Sequence, residues 1–139
     1  MMPAVVFPDI EKVLVQAIRA EIDARTEPYT IGVVVATKKP ASDTNPYPRR
    51  IITIRSDGGQ KIDWVRKIER IGLTVWADTY ADASDLARLL EALSITLTGE
   101  HIKLSNVSLS PIRVEEAGPQ ECRYLTLELI VKGSTLASA

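Results

Sequence analysis

The stretch Ile71–Leu97, IGLTVWADTYADASDLARLLEALSITL, constrains the fold of this chain more than any other. Ile71, Leu73 and Val75 alternate with Gly72, Thr74 and Trp76, the period of a strand with one apolar face. Thr79 stands where it can cap the next element, its hydroxyl accepting from the N–H of Asp82. The Asp82 carboxylate in turn suits the positive start of a helix. Ala83, Leu86, Ala87, Leu90 and Leu93 then recur at intervals of three and four, which makes one stripe on that helix. The connection is short, so the helix folds its stripe back onto the apolar face of the sheet holding its own strand. This strand–helix pair is the core, and the remaining segments add layers to it.

Before it, Asp9 follows Pro8 as an N-cap, and Ile10, Val13, Leu14, Ala17, Ile18 and Ile22 form the stripe of a first helix. Pro28 ends that helix and pushes Glu27 toward extended geometry. The β-branched run Thr30–Thr37, TIGVVVAT, reads as a well-buried strand. Lys38–Arg50, KKPASDTNPYPRR, carries three prolines and reads as a long irregular excursion rather than a tight turn. IITIRS from Ile51 is a strand, and Asp57-Gly58-Gly59 reads as a hairpin turn with positive φ. Gln60–Arg70 is then an extended segment that pairs with IITIRS across that turn and bends into the core strand.

Past the second helix, Thr98-Gly99 supplies a glycine C-cap. His101–Leu104 and Val107–Val114 are extended, Glu115–Glu121 is a polar loop, and Arg123–Lys132 is the last strand. That strand puts Tyr124, Thr126, Glu128 and Ile130 on one face and Leu125, Leu127, Leu129 and Val131 on the other. The class is α+β, two helices packed on one face of a mostly antiparallel sheet in the order α-β-β-(β)-β-α-β-β. The whole chain, 1–139, is expected to be one domain, with 1–7 and 133–139 as flexible termini.

With 139 residues, 45% of them apolar, the chain has enough material for one real core. Its 17 basic and 18 acidic residues give no global pull toward nucleic acid or an anionic membrane surface. Locally the balance is uneven, net +5 over Lys38–Arg70 and −6 over the rest, a split that suits a protein meeting copies of itself or a neighbour through unlike surfaces. Cys122 is the only cysteine, which excludes an intrachain disulfide and a thiolate metal cluster and reads as a small buried hydrophobe. The N-terminal MMPAVVFPD lacks the basic and apolar regions of a signal peptide. No stretch approaches the ~18 apolar residues of a membrane span. A soluble protein made in the cytoplasm is expected.

Groups that carry chemistry are sparse. A hydrolytic triad needs a nucleophile, a base and an orienting acid, whereas the lone His101 beside Glu100 reads as a surface histidine near a helix end. Asp57-Gly58-Gly59 lacks the spacing of a phosphate-binding loop. Asp78, Asp82 and Asp85 do not follow the alternation of a calcium loop, and acids in a first helical turn complement the dipole. No catalytic, cofactor or metal site is expected. Lys38, Lys39, Arg49 and Arg50 bracket a loop that also holds Tyr47, so a small nucleic-acid or regulatory binding module using the 38–50 loop is the alternative reading. The sequence pI of about 5.9 counts against it. Trp64 reads as a partner contact and Trp76 as a core residue.

Taken in order, FPDIEKVLVQAI, GVVVAT with its proline-rich loop, RIITIRSDGG, LTVWADTYADASDLARLLEAL and RYLTLELIVKG resemble the tail terminator (tail completion) proteins of long-tailed bacteriophages, especially those of actinobacterial phages. The likeness runs from Phe7 to Gly133. It implies a structural virion protein that forms a six-membered ring on the head-proximal end of the tail tube. Such a ring ends tube polymerisation and offers a surface to the head–neck connector, and genomic DNA passes its channel without specific binding. The partners implied are further copies of the chain, the tail tube protein and the connector protein, with no membrane. Rings need heterologous contacts, in which one patch meets a different patch on the next copy. Lys38, Lys39, Tyr47, Arg49, Arg50, Trp64 and Arg66 are the expected basic and aromatic side of such a contact. Glu115, Glu116, Glu121 and Glu128 are the expected acidic side. The lumen is expected to be acidic or polar, with the proline-rich loop and the C-terminal tail reaching toward adjacent rings.

Overall fold

The structure, a computed structural model, describes residues 3–116 and 118–136. In chain order they form β1 (Val5–Val6), α1 (Ile10–Asp23), β2 (Val33–Ala36), β3 (Arg50–Lys61), β4 (Arg66–Ala77), α2 (Tyr80–Ser94), β5 (Ile102–Val114), β6 (Glu121–Lys132) and β7 (Ser134–Thr135). Five strands make one sheet in the order β2-β3-β4-β6-β5, and β1 pairs with β7 in a small second sheet. Both helices lie on one face of the larger sheet, α1 over β2 and β3, α2 over β4, β6 and β5. The fold is α+β, as the patterning predicts.

Capping and periodicity account for the helices. Asp9 accepts from the N–H of Lys12 at the start of α1, and Thr79 accepts from the N–H of Asp82 at 3.1 Å at the start of α2. Ile10, Leu14, Ile18 and Ile22 of α1 are buried, as are Ala83, Leu86, Ala87 and Leu90 of α2. They meet Ile52 and Ile54 of β3, Ile71, Leu73 and Val75 of β4, and Leu125, Leu127, Leu129 and Val131 of β6. β4 and β6 pair antiparallel without a register shift along their whole length, Arg66 opposite Lys132 and Ala77 opposite Glu121. α2 stops at Ser94 with Ile95 as its C-cap, several residues before Gly99. The Gly99 N–H instead closes a turn on the carbonyl of Ile102.

The Asp57-Gly58-Gly59 hairpin turn is corrected to a bulge inside β3. Pairing with β4 runs to Ser56↔Ile71, skips, and resumes at Gly59↔Glu69 and Lys61↔Lys67, so the chain reverses at 62–65. Both glycines suit the bulge. Gly58 has φ +86°, and a Cβ on Gly59 would lie 1.8 Å from the carbonyl oxygen of Ile68. The distortion is held by side chains. The Ser56 N–H donates to Glu11 of α1 at 2.7 Å, and the Ser56 hydroxyl donates to Glu69 at 2.6 Å. Glu69 faces the helices and is buried, with Lys67 Nζ 3.1 Å from its other oxygen. Gln60–Arg70 is therefore no separate strand. Its ends belong to β3 and β4.

The run Thr30–Thr37 is also trimmed. Thr30 ends a single 3₁₀ turn, the strand is only Val33–Ala36, and Val35 alone in it is fully buried. β2 lies at the sheet edge and runs parallel to β3, because the Lys38–Arg49 excursion carries the chain from Ala36 back to the end where β2 began, beside Val33. Of the termini expected to be flexible, 1–2 and 137–139 lie outside the described residues, and the parts within them are tied to each other. Val5 pairs with Thr135 and Val6 with Ser134, Leu136 donates to Ala4, and Gly133 donates to Val65 in the hairpin turn.

The bulge makes a direct prediction. Gly59→Ala forces a methyl group into backbone and should lower unfolding stability by about 1–3 kcal/mol. Gly99→Ala, with open space around it, should stay within about 0.5 kcal/mol. Denaturant unfolding of the two variants measures the difference.

A candidate interaction surface on the open face of the sheet

Side chains that alternate with the core rows point away from the helices. They include Ile51, Thr53 and Arg55 of β3, Trp76, Thr74 and Arg70 of β4, and Cys122, Tyr124, Thr126 and Glu128 of β6. At one end of this open face the proline-rich loop folds over the sheet. Ile51, Trp76 and Cys122 are buried there, with Tyr47 of the loop and Val114 of β5 packed against them. Trp76, 7% exposed, belongs to this second, smaller core rather than to the one under the helices.

Polar contacts organise the rim. The Trp76 indole N–H donates to Glu116 at 2.8 Å, and Lys39 Nζ stands 4.5 Å from the centroid of the same ring. Gln120 donates to the carbonyl of Pro48 at 2.9 Å and to Asp78 at 3.1 Å, so the 38–49 loop is tied to the end of β4 and the start of β6. Between these pieces lies a cleft of about 460 Å³ lined by Lys39, Tyr47, Trp76, Asp78, Glu116 and Gln120, among others. A second hollow shares Lys39, Trp76 and Glu116 and runs on toward Arg55 and Tyr124. The Cys122 thiol beneath is pushed up to about 11, first by burial and then by the charge of Glu116. That makes it an inert packing group.

The interface residues expected from sequence fall into three sets. Lys39, Tyr47 and Glu116 converge on Trp76. Arg50 is committed within the chain, holding Asp82 of α2 through Nε and Nη2 at 3.1 and 2.8 Å and the carbonyl of Ile31 through Nη1. Glu121 lies between Arg113 and Arg123, both within 3.7 Å. The others are exposed: Lys38, Arg49 (82% of its side chain, 3.9 Å from Asp78), Trp64 in the β3–β4 turn, Arg66 bound to Asp63, and Glu115 near Arg113. Arg66 draws the Asp63 carboxyl below its ordinary range by donating to it. Glu128 pairs with Arg70 at 3.6 Å in its own chain.

The sequence pattern places Trp76 in the core and Glu116 in a contact with a neighbour, and nothing in it signals that the two bond to each other. Only the Trp76↔Cys122 register brings the loop before β6 over the indole. Further along the open face, Leu104, Leu109 and Ile112 of edge strand β5 are exposed. Asp78, Asp82 and Asp85 each have their own arginine, Arg49, Arg50 and Arg88, and do not converge. Among the described residues no three His, Cys, Asp or Glu side chains gather where they could hold a metal ion. Among the described residues no helix is long and apolar enough to cross a membrane.

Two outcomes test this geometry. Arg50→Ala should cost about 1.5–3 kcal/mol of unfolding stability, the worth of hydrogen bonds to a charged partner, and Arg49→Ala almost none. Because the folded protein keeps the Cys122 proton longer than the unfolded chain does, the thiol's contribution is intact below pH 9. It is lost as pH rises toward 11. Cys122→Ala should flatten that part of the stability profile, and the native thiol should react with a disulfide reagent about a hundredfold more slowly than a free one. A scan against protein-family models gives no match, and a comparison with curated proteins gives none either.

Proposed function

We propose that the chain is a structural subunit of a phage tail, forming a ring that caps the head-proximal end of the tail tube. There it ends tube polymerisation and joins the tail to the head–neck connector. The observation that carries this reading is the one-sided sheet. Both helices cover one face, the other face is open, and the outer edges of β2 and β5 are unpaired among the described residues. The two edges are unlike, one short and parallel to its neighbour, the other long, bulged and apolar. A subunit with two different edges suits heterologous contacts, the kind that close rings. The order of sequence pieces from Phe7 to Gly133, which resembles that of tail terminators, supports the same role.

Arg50 and Glu128 are already paired within the chain, so the contact to a neighbour is better sought at Lys38, Arg49, Trp64 and the β5 edge. Of the four basic residues bracketing the proline-rich loop, Arg50 is bonded to Asp82 and Lys39 covers an indole. Two are left, too few for a phosphate-tracking groove.

Native mass spectrometry of the full chain, with negative-stain images in the presence of tail tubes, tests the proposal. A six-membered ring, or density on one end of the tubes, is the expected result. Trp64→Ala and Arg49→Glu should reduce assembly while leaving unfolding stability within about 0.5 kcal/mol. A monomer that ignores tubes and binds DNA would overturn the reading in favour of a nucleic-acid module.

A further inference from the structure

We infer that the cleft beside Trp76 is a recognition pocket for a basic side chain, arginine or lysine, carried on an extended segment of a partner protein. In the free chain, Lys39 of the subunit's own loop sits in that place. Three features converge on a cation as the occupant. The walls are aromatic, the Trp76 indole and Tyr47, and an aromatic face attracts a cation through its quadrupole. The Trp76 N–H donates to the Glu116 carboxylate, which pushes electron density into the ring and strengthens that attraction. The lining carries two carboxylates, Asp78, which has Arg49 at its outer side, and Glu116, whose one bond is to the neutral indole N–H.

Lys39 reports what the pocket prefers. Its Nζ lies over the indole at 4.5 Å, yet the residue is exposed and belongs to a loop without regular structure. A lysine held only by an exposed cation–π contact is replaceable, since such a contact is worth a factor of about two to five in occupancy. About 460 Å³ stays open beside it, within the range of pockets that take a ligand group. Asp78 has Arg49 3.9 Å away, whereas Glu116, bonded to the indole N–H, has no ion-pair partner among the described residues. A phosphate would therefore meet like charge there, and a neutral side chain would leave that carboxylate without a cation. Charge complementarity therefore selects a basic segment, and Lys39 competes with it. The inference holds whether or not the chain assembles into a ring.

The test uses Trp64→Phe protein, in which Trp76 is the only indole, and follows its fluorescence. The probes are acetyl-Gly-Arg-Gly-amide and its citrulline counterpart, which has the same shape and no charge. The arginine peptide should change the emission saturably and the citrulline peptide should not. Lys39→Ala should tighten arginine binding about two- to fivefold by removing the competitor. Glu116→Gln, which still accepts the indole N–H, should weaken it by a similar factor. Equal binding of the two peptides, no saturable response, or affinity unchanged or lowered by Lys39→Ala would overturn the inference.

Discussion

The pairing of β4 with β6 is the contact on which the other elements depend. It runs unbroken along both strands and lines up Ile71, Leu73 and Val75 with Leu127, Leu125 and Arg123. Because side chains alternate every residue, a slip of one position would turn the whole apolar row toward solvent. β3 and β5 take their register from the outer edges of this pair, and α2 is delivered onto it by the short Asp78-Thr79 connection. α1 then covers what α2 leaves of the same face. The helices have a surface to fold on because two strands distant in sequence agree on a register.

Charge is distributed on a different plan from the one the linear sequence suggests. The basic segment and the acids outside it look like two complementary surfaces, yet within the folded chain several of these charges are paired, with each other or with closer partners. Arg50 reaches Asp82, Arg70 reaches Glu128, and Arg113 and Arg123 flank Glu121. An exposed pair such as Arg70–Glu128 adds little stability, unlike the part-buried Arg50–Asp82 and Arg123–Glu121 pairs. All of them use up charges that would otherwise be free for a partner. The surfaces with unused capacity are the apolar edge of β5 and the acidic, aromatic cleft under the proline-rich loop.

Both helices could be read directly from the sequence, since a cap and a stripe are local signals and each is satisfied within a few residues. The alternating strands were equally legible. What could not be read was anything that depends on a partner strand. Asp-Gly-Gly has the same local chemistry in a hairpin turn and in a bulge, and only the Glu11–Ser56–Glu69 contacts decide between them. A β-branched run does not reveal whether it lies at the centre or at the edge, or which way its neighbour points. The cleft was hidden for the same reason. Lys39, Trp76 and Glu116 lie far apart in sequence and meet only after the sheet has formed.

The small β1–β7 ladder has a consequence for anything attached to the chain. Ala4 and Leu136 are joined by a backbone hydrogen bond of 2.9 Å, and Val65 at the β3–β4 reversal bonds to Gly133 beside them. Ala4 and Leu136 therefore lie together at one spot, next to the tip of the β3–β4 hairpin. Two copies joined in tandem would need a linker spanning only the distance between neighbouring spots. A circular permutant could be sealed there by a few residues and opened elsewhere without disturbing the central strand pair.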